Sequence, residues 1–319
     1  MARTRYAPDR GLSVRMTLTM FLLGLVFVVF VAVIVGILHA VGASMGAIVF
    51  FAIVLGGGMA FTSLFYSDKI ALATAGAQVV TPQDGEAARK LHGIVDRLCA
   101  MADMDKPTVA IAPTAMPNAF ATGRNSKHAV LCVTNGLLQK LDDNELEGVL
   151  AHEMSHVAHK DVQVMTYASL LAIIAGLLVR MAFYSELFGG GRRNSNDQNA
   201  LPVMLIVMLV SIVVYAISFV LIRMLSRYRE LAADRGAAML TGQPSALKSA
   251  LIKVSGDMSR IPQQDLRAAE PLNAFFFAPA LNLSKKASLT QMFSTHPSLD
   301  KRIEQLDKIQ RQLGRVSPE

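Results

Sequence analysis

From residue 16 to residue 67 the chain carries no Asp, Glu, Lys or Arg, and only His39 interrupts the uncharged run. A single helix over it would be about 78 Å long, against a hydrocarbon core of about 30 Å. The run therefore reads as two membrane spans joined by a short turn near residues 39–44. Residues 198–222 form a third uncharged run, long enough to cross. Residues 162–179 form a fourth, close to the lower length limit and closed by Arg180, whose long side chain can reach back to the interface. At that length the fourth run fits either a span or a buried core helix. The composition agrees with a membrane protein: 52% hydrophobic, 17% charged, mean hydropathy +0.40.

The placement of Arg and Lys sets the orientation. Arg3, Arg5, Arg10 and Arg15 precede the first span, and Arg223, Arg227 and Arg229 follow the last. Both flanks are expected in the cytoplasm, as are both termini. The loop 185–199, in which Arg192 and Arg193 are offset by Glu186 and Asp197, is expected outside. The first span is too long for a cleaved signal peptide, lacks a small-residue cleavage site, and reads as a retained anchor. Cys99 and Cys132 then face a reducing compartment, where no disulfide is needed, and no CxxC suggests a thiolate metal site. The net charge of +7 is mostly juxtamembrane and suits anionic lipid. No nucleic-acid motif is present, and topology explains the basic excess.

Just before the fourth run stands His152-Glu-Met-Ser-His156. Helical spacing puts the two imidazoles on one face, one turn apart, where they can hold one zinc ion. Glu153 beside them is a carboxylate able to take a proton from the attacking water. Asp142 and Glu145 have capping-box spacing, with Leu141 and Leu146 as a hydrophobic staple, so a helix is expected to start there and run toward the membrane. Around it, residues 86–102 have helical periodicity, 107–112 and 128–133 read as strands, and Asn135-Gly136 marks a turn before a short helix.

A catalytic zinc needs a third protein ligand. His159 lies about 10.5 Å along a straight helix from His152, too far for one ion with bonds of about 2 Å. Glu230 is the better candidate. Glu230 and Asp234 stand four apart just past the last span, so one carboxylate can bind the metal and the other can accept the free N–H of a liganding histidine. Taken alone the same segment reads as a charged helix flanking lipid, with Arg227, Arg229 and Arg235 as partners. Paired with the histidines it completes a site, and the two crossings at 162–179 and 198–222 return Glu230 to the side of His152.

Five segments in order carry a family likeness: Tyr66-Ser-Asp-Lys69, Pro117-Asn-Ala-Phe-Ala-Thr-Gly123, His152-Glu-Met-Ser-His156, Glu230-Leu-Ala-Ala-Asp234, and Ser294-Thr-His-Pro297 followed by Arg302. With the spans, they resemble the HtpX-type membrane zinc metallopeptidases, relatives of the CAAX prenyl proteases in the gluzincin group. The resemblance covers nearly the whole chain. It implies one zinc per chain on His152, His156 and Glu230, Glu153 as general base, and Asp234 behind the ligands. It further implies that Asn118, Ala119, Phe120 and Ala121 pair with an extended substrate; without the likeness these four read as an ordinary turn after Pro117. His296 matches a histidine near the metal that can stabilise an oxyanion, and equally reads as a helix-boundary residue before Pro297. Arg302 is a candidate partner for a core carboxylate. Phe275-Phe-Phe277 suits a substrate pocket or lipid, and an aromatic cluster is more often core.

The expected fold is a mainly α integral membrane protein with four transmembrane helices and a zincin-like α+β catalytic domain holding a small sheet. Residues 1–67 form an arm and transmembrane hairpin, 68–161 and 223–319 the two parts of the catalytic domain, and 162–222 the second transmembrane pair. The expected activity is that of a zinc endopeptidase in a bacterial inner membrane, cleaving misfolded or damaged membrane proteins at the cytoplasmic face. A narrow processing peptidase or a silent membrane scaffold are the competing readings; four spans disfavour the first and an intact Glu153 and ligand set the second.

Overall fold

The computed structural model describes residues 10–40, 58, 61–62, 65–189, 200–258 and 296–315. Most of the second span of the expected hairpin, most of the loop at 185–199, and Phe275-Phe-Phe277 lie outside the described residues. The chain forms two compact units, one gathering Met1–Val14, Leu64–Gln163 and Ser226–Glu319, the other Arg15–Ser63 and Val164–Leu225.

The first unit is built on a four-stranded sheet: β1 (Gln78–Val79), β2 (Thr108–Ala112), β3 (Ala119–Thr122) and β4 (Val130–Thr134), in the order β1-β2-β4-β3. β2 and β4 are parallel, with Val109 opposite Leu131; the other pairs are antiparallel, with Phe120 opposite Cys132. β3 is thus an edge strand. β4 starts two residues later than the expected strand because Ser126–His128 forms a 3-10 turn, closed by the Asn125 side chain accepting the His128 N–H at 3.0 Å.

Helix Glu86–Ala102 buries Leu91, Ile94, Val95 and Leu98, the expected periodic face, and stops at Asp103 in a left-handed conformation. Helix Asn135–Lys140 begins at Asn135 itself. Thr134 caps it by accepting the Leu137 N–H at 3.2 Å, so Asn135-Gly136 is the first helical turn and not a turn before it. A side chain at Gly136 would overlap the carbonyl of Ala115.

Helix Asp143–Ala158 carries the histidine motif. Its capping box is complete: Asp142 accepts the Glu145 N–H at 3.0 Å and Glu145 accepts the Asp142 N–H at 3.1 Å. Gly148 lets Leu247 of helix Pro244–Met258 come within 3.2 Å of where a Cβ would sit. The helix does not run straight on toward the membrane. It ends at Ala158, Lys160 adopts φ 56°, and a new helix, Asp161–Gly189, begins at the next residue.

The second unit draws on helices Arg10–Ala40, Asp161–Gly189 and Ala200–Thr241, which share a core of Leu23, Phe30, Ile34, Ala168, Ala175 and Val214. Phe21, Val28 and Leu209 are each more than 60% exposed, an outer face suited to hydrocarbon and not to water. Among the described residues, Arg10–Ile37 and Leu205–Thr241 are long and apolar enough to cross a membrane. A third crossing arises only if Asp143–Ala158 and Asp161–Leu177 count as one broken span. Helix Ala200–Thr241 runs well past residue 222, the expected end of the span, and includes Glu230 and Asp234.

Candidate metal centre

The one-turn spacing of the motif brings the His152 and His156 rings to 4.8 Å between centroids, with their Nε2 atoms 3.2 Å apart. Glu230 completes the triangle. Its Oε2 lies 3.7 Å from Nε2 of His152 and its Oε1 3.5 Å from Nε2 of His156. One donor atom from each residue lies within 4.8 Å of the others. A tetrahedral ion with bonds of about 2.05 Å needs ligand atoms about 3.3 Å apart. The nitrogen pair fits that demand, Glu230 faces the two nitrogens through different oxygens at slightly longer range, and the donor set of two imidazoles and a carboxylate is the one a hydrolytic metal uses with its fourth position open.

The other nitrogen of each ring faces a carboxylate. Nδ1 of His152 lies 2.9 Å from Oδ1 of Asp234, four residues past Glu230. Arg302 grips the same Asp234, Nε to Oδ2 at 2.7 Å and Nη2 to Oδ1 at 2.6 Å. Burial alone would lower the Arg302 guanidinium, but Asp234 and Glu230 hold it above its usual range, so it stays charged. Nδ1 of His156 meets Oδ2 of Asp161 at 2.5 Å, and Arg229 reaches that oxygen with Nη2 at 2.8 Å. The sequence does not single out Asp161, and it marks Arg229 only as a basic flank of the last span.

Glu153 is buried, on the helix turn between the two histidines, and its Oε2 accepts the Ala121 N–H at 3.1 Å. That bond ties the carboxylate to β3. The expected substrate segment, residues 118–121, coincides with β3 apart from a one-residue offset: the strand is Ala119–Thr122, and Asn118 is fastened to Thr134 on β4. Ala121 therefore directs its N–H away from β4, into the site. His296 arrives from far along the chain, with Nδ1 3.0 Å from Oε2 of Glu230. His159 is outside the cluster, its Nδ1 3.1 Å from Oγ of Ser155.

This arrangement and fold define a class: a metallopeptidase built around a membrane anchor. The chain belongs to peptidase family M48, which matches residues 86–310. It is 55% identical to "Protease HtpX homolog 1" of Streptomyces coelicolor over 312 residues, 98% of this chain and 97% of the relative. It is 49% identical to "Protease HtpX homolog 2" of Methanosarcina mazei, across 98% of this chain and 100% of the relative. Among solved structures, that of S. mikatae Ste24p superposes with a TM-score of 0.52 at 18% identity, covering 92% of this chain and 67% of that one, a likeness of fold. The protein is a membrane-bound metalloprotease of the HtpX type, and its family implies a bound metal.

Proposed function

We propose that the protein is a zinc endopeptidase that cleaves misfolded or damaged membrane proteins at the cytoplasmic face of a bacterial inner membrane. The observation that carries the reading is the Glu153 carboxylate, held by an edge-strand N–H beside three metal-competent donor atoms. His152, His156 and Glu230 would hold the zinc, with Asp234 fixing the tautomer of His152. Bound there, zinc would supply Lewis-acid polarisation of the scissile carbonyl and of the attacking water. Glu153 would accept the water proton and return it to the leaving amine. His296, against Oε2 of Glu230, would donate to the developing oxyanion.

Residues 118–121 would receive substrate by strand addition. An edge strand offers backbone groups to any extended chain, which favours unfolded segments over a fixed sequence. The uncharged runs support four spans, and the Arg distribution supports catalytic parts 68–161 and 223–319 on the cytoplasmic side.

The test is cleavage of an unfolded membrane protein by the purified chain in lipid. Activity should vanish with a chelator, return with zinc, and be lost in Glu153→Gln. Wild-type rates in Glu153→Gln would overturn the assignment of the base.

A further inference from the structure

The Arg302–Asp234–His152 chain has a counterpart on the other imidazole. Nδ1 of His156 meets Oδ2 of Asp161, and Nη2 of Arg229 lies 2.8 Å from that same oxygen. All three side chains are largely buried, Asp161 at 4% and Arg229 at 11% side-chain exposure. We propose that Asp161, held by Arg229, is a second positioning residue, which fixes the tautomer and orientation of His156 for the metal. The proposal rests on the reading of His152, His156 and Glu230 as ligands.

The geometry that makes this possible is not that of a continuous helix. Asp161 is five residues past His156, and five helical steps carry a side chain about 140° around the axis, away from it. The break restores the contact. The first helix ends at Ala158, and Lys160 takes φ 56°, a conformation strained for a non-glycine residue. The strained link swings the first residue of helix Asp161–Gly189 back against His156. Arg229 comes from the residue just before Glu230, on helix Ala200–Thr241. Helices Asp161–Gly189 and Ala200–Thr241 thus each supply one member of the support, close in sequence to the ligands His156 and Glu230.

A carboxylate behind a liganding imidazole holds its N–H and raises the basicity of the nitrogen facing the metal, and its loss typically costs about 10–100-fold in metal affinity. The experiment uses the full chain in detergent. Zinc affinity is measured by competition with a chelator, and the visible spectrum of the cobalt-substituted protein reports ligand geometry. Unfolding of the metal-free chain is followed in parallel, so that lost stability is not mistaken for lost affinity. Asp161→Asn keeps the volume and a neutral acceptor, and should weaken zinc by about tenfold. Asp161→Ala should weaken it further, toward about 100-fold, and shift the cobalt bands. Arg229→Gln should give a smaller loss. If Asp161→Ala does not accumulate folded, Asp161→Asn carries the comparison. Zinc affinity within about twofold of wild type in Asp161→Asn, with an unchanged cobalt spectrum, overturns the proposal and leaves the ligand assignment standing. A wild-type chain that takes up no metal would instead contradict the ligand assignment itself.

Discussion

Arg302 holds Asp234 with two parallel hydrogen bonds, at 2.6 and 2.7 Å, and both side chains are sealed from solvent. The two residues lie far apart in sequence, so this pair also closes the first unit: helix Leu299–Arg315 is locked to helix Ala200–Thr241 behind the metal centre. Removing one partner of a buried ion pair strands the other charge, at a cost of about 3–5 kcal/mol. Arg302→Met should therefore destabilise the metal-free chain by that order in denaturant unfolding. Arg302→Lys, which cannot form the paired geometry, should recover only part of it.

Two glycines make opposite predictions. Gly136 lies against the Ala115 carbonyl, with no room for a Cβ. Gly136→Ala should cost about 1–3 kcal/mol through overpacking and a shifted loop before β3. Gly93 is inside helix Glu86–Ala102 with nothing within 4 Å of a Cβ position. Gly93→Ala should stabilise by about 0.5–1 kcal/mol. Thermal unfolding of the two variants side by side checks both signs.

Topology can be read by cysteine labelling in intact cells. A cysteine at Ser195 should react with an impermeant thiol reagent added outside, and one at Ser126 should not. The native thiols give little background, since burial pushes Cys99 up to about 11 and Cys132 up to about 12, leaving almost no thiolate at neutral pH. Labelling of both positions, or of neither, would mean that residues 162–179 do not cross.

Much of the centre was legible because it is written in short spacings. The pairs His152/His156 and Glu230/Asp234, and the capping box Asp142/Glu145, each lie within one helical turn, where periodicity fixes which side chains meet. Helix 86–102 was legible for the same reason. What depended on a break in periodicity was not. Asp161 falls on the wrong face of a straight helix, and only the left-handed Lys160 brings it back to His156. A basic residue and an aspartate directly after a histidine-rich turn were the available signal. The pairing of Arg302 with Asp234 is a tertiary contact that no local pattern encodes. The Asn135-Gly136 turn was misread because the Thr134 hydroxyl caps the backbone one residue earlier than the dipeptide suggests. Strand β4 was shifted by the Asn125 side chain, which competes for the His128 N–H.

The most direct test of the account is zinc content per chain, measured on purified full-length protein for wild type, Glu153→Gln and Glu230→Gln. Wild type should hold about one zinc, as a site with three protein ligands requires. Glu153→Gln should hold the same amount while losing nearly all turnover, because the neutral amide leaves all three donors in place and removes the base. Glu230→Gln should lose its zinc on dialysis. Equal zinc in wild type and Glu230→Gln, or loss of zinc from Glu153→Gln, would contradict the division between ligands and base drawn from this structure.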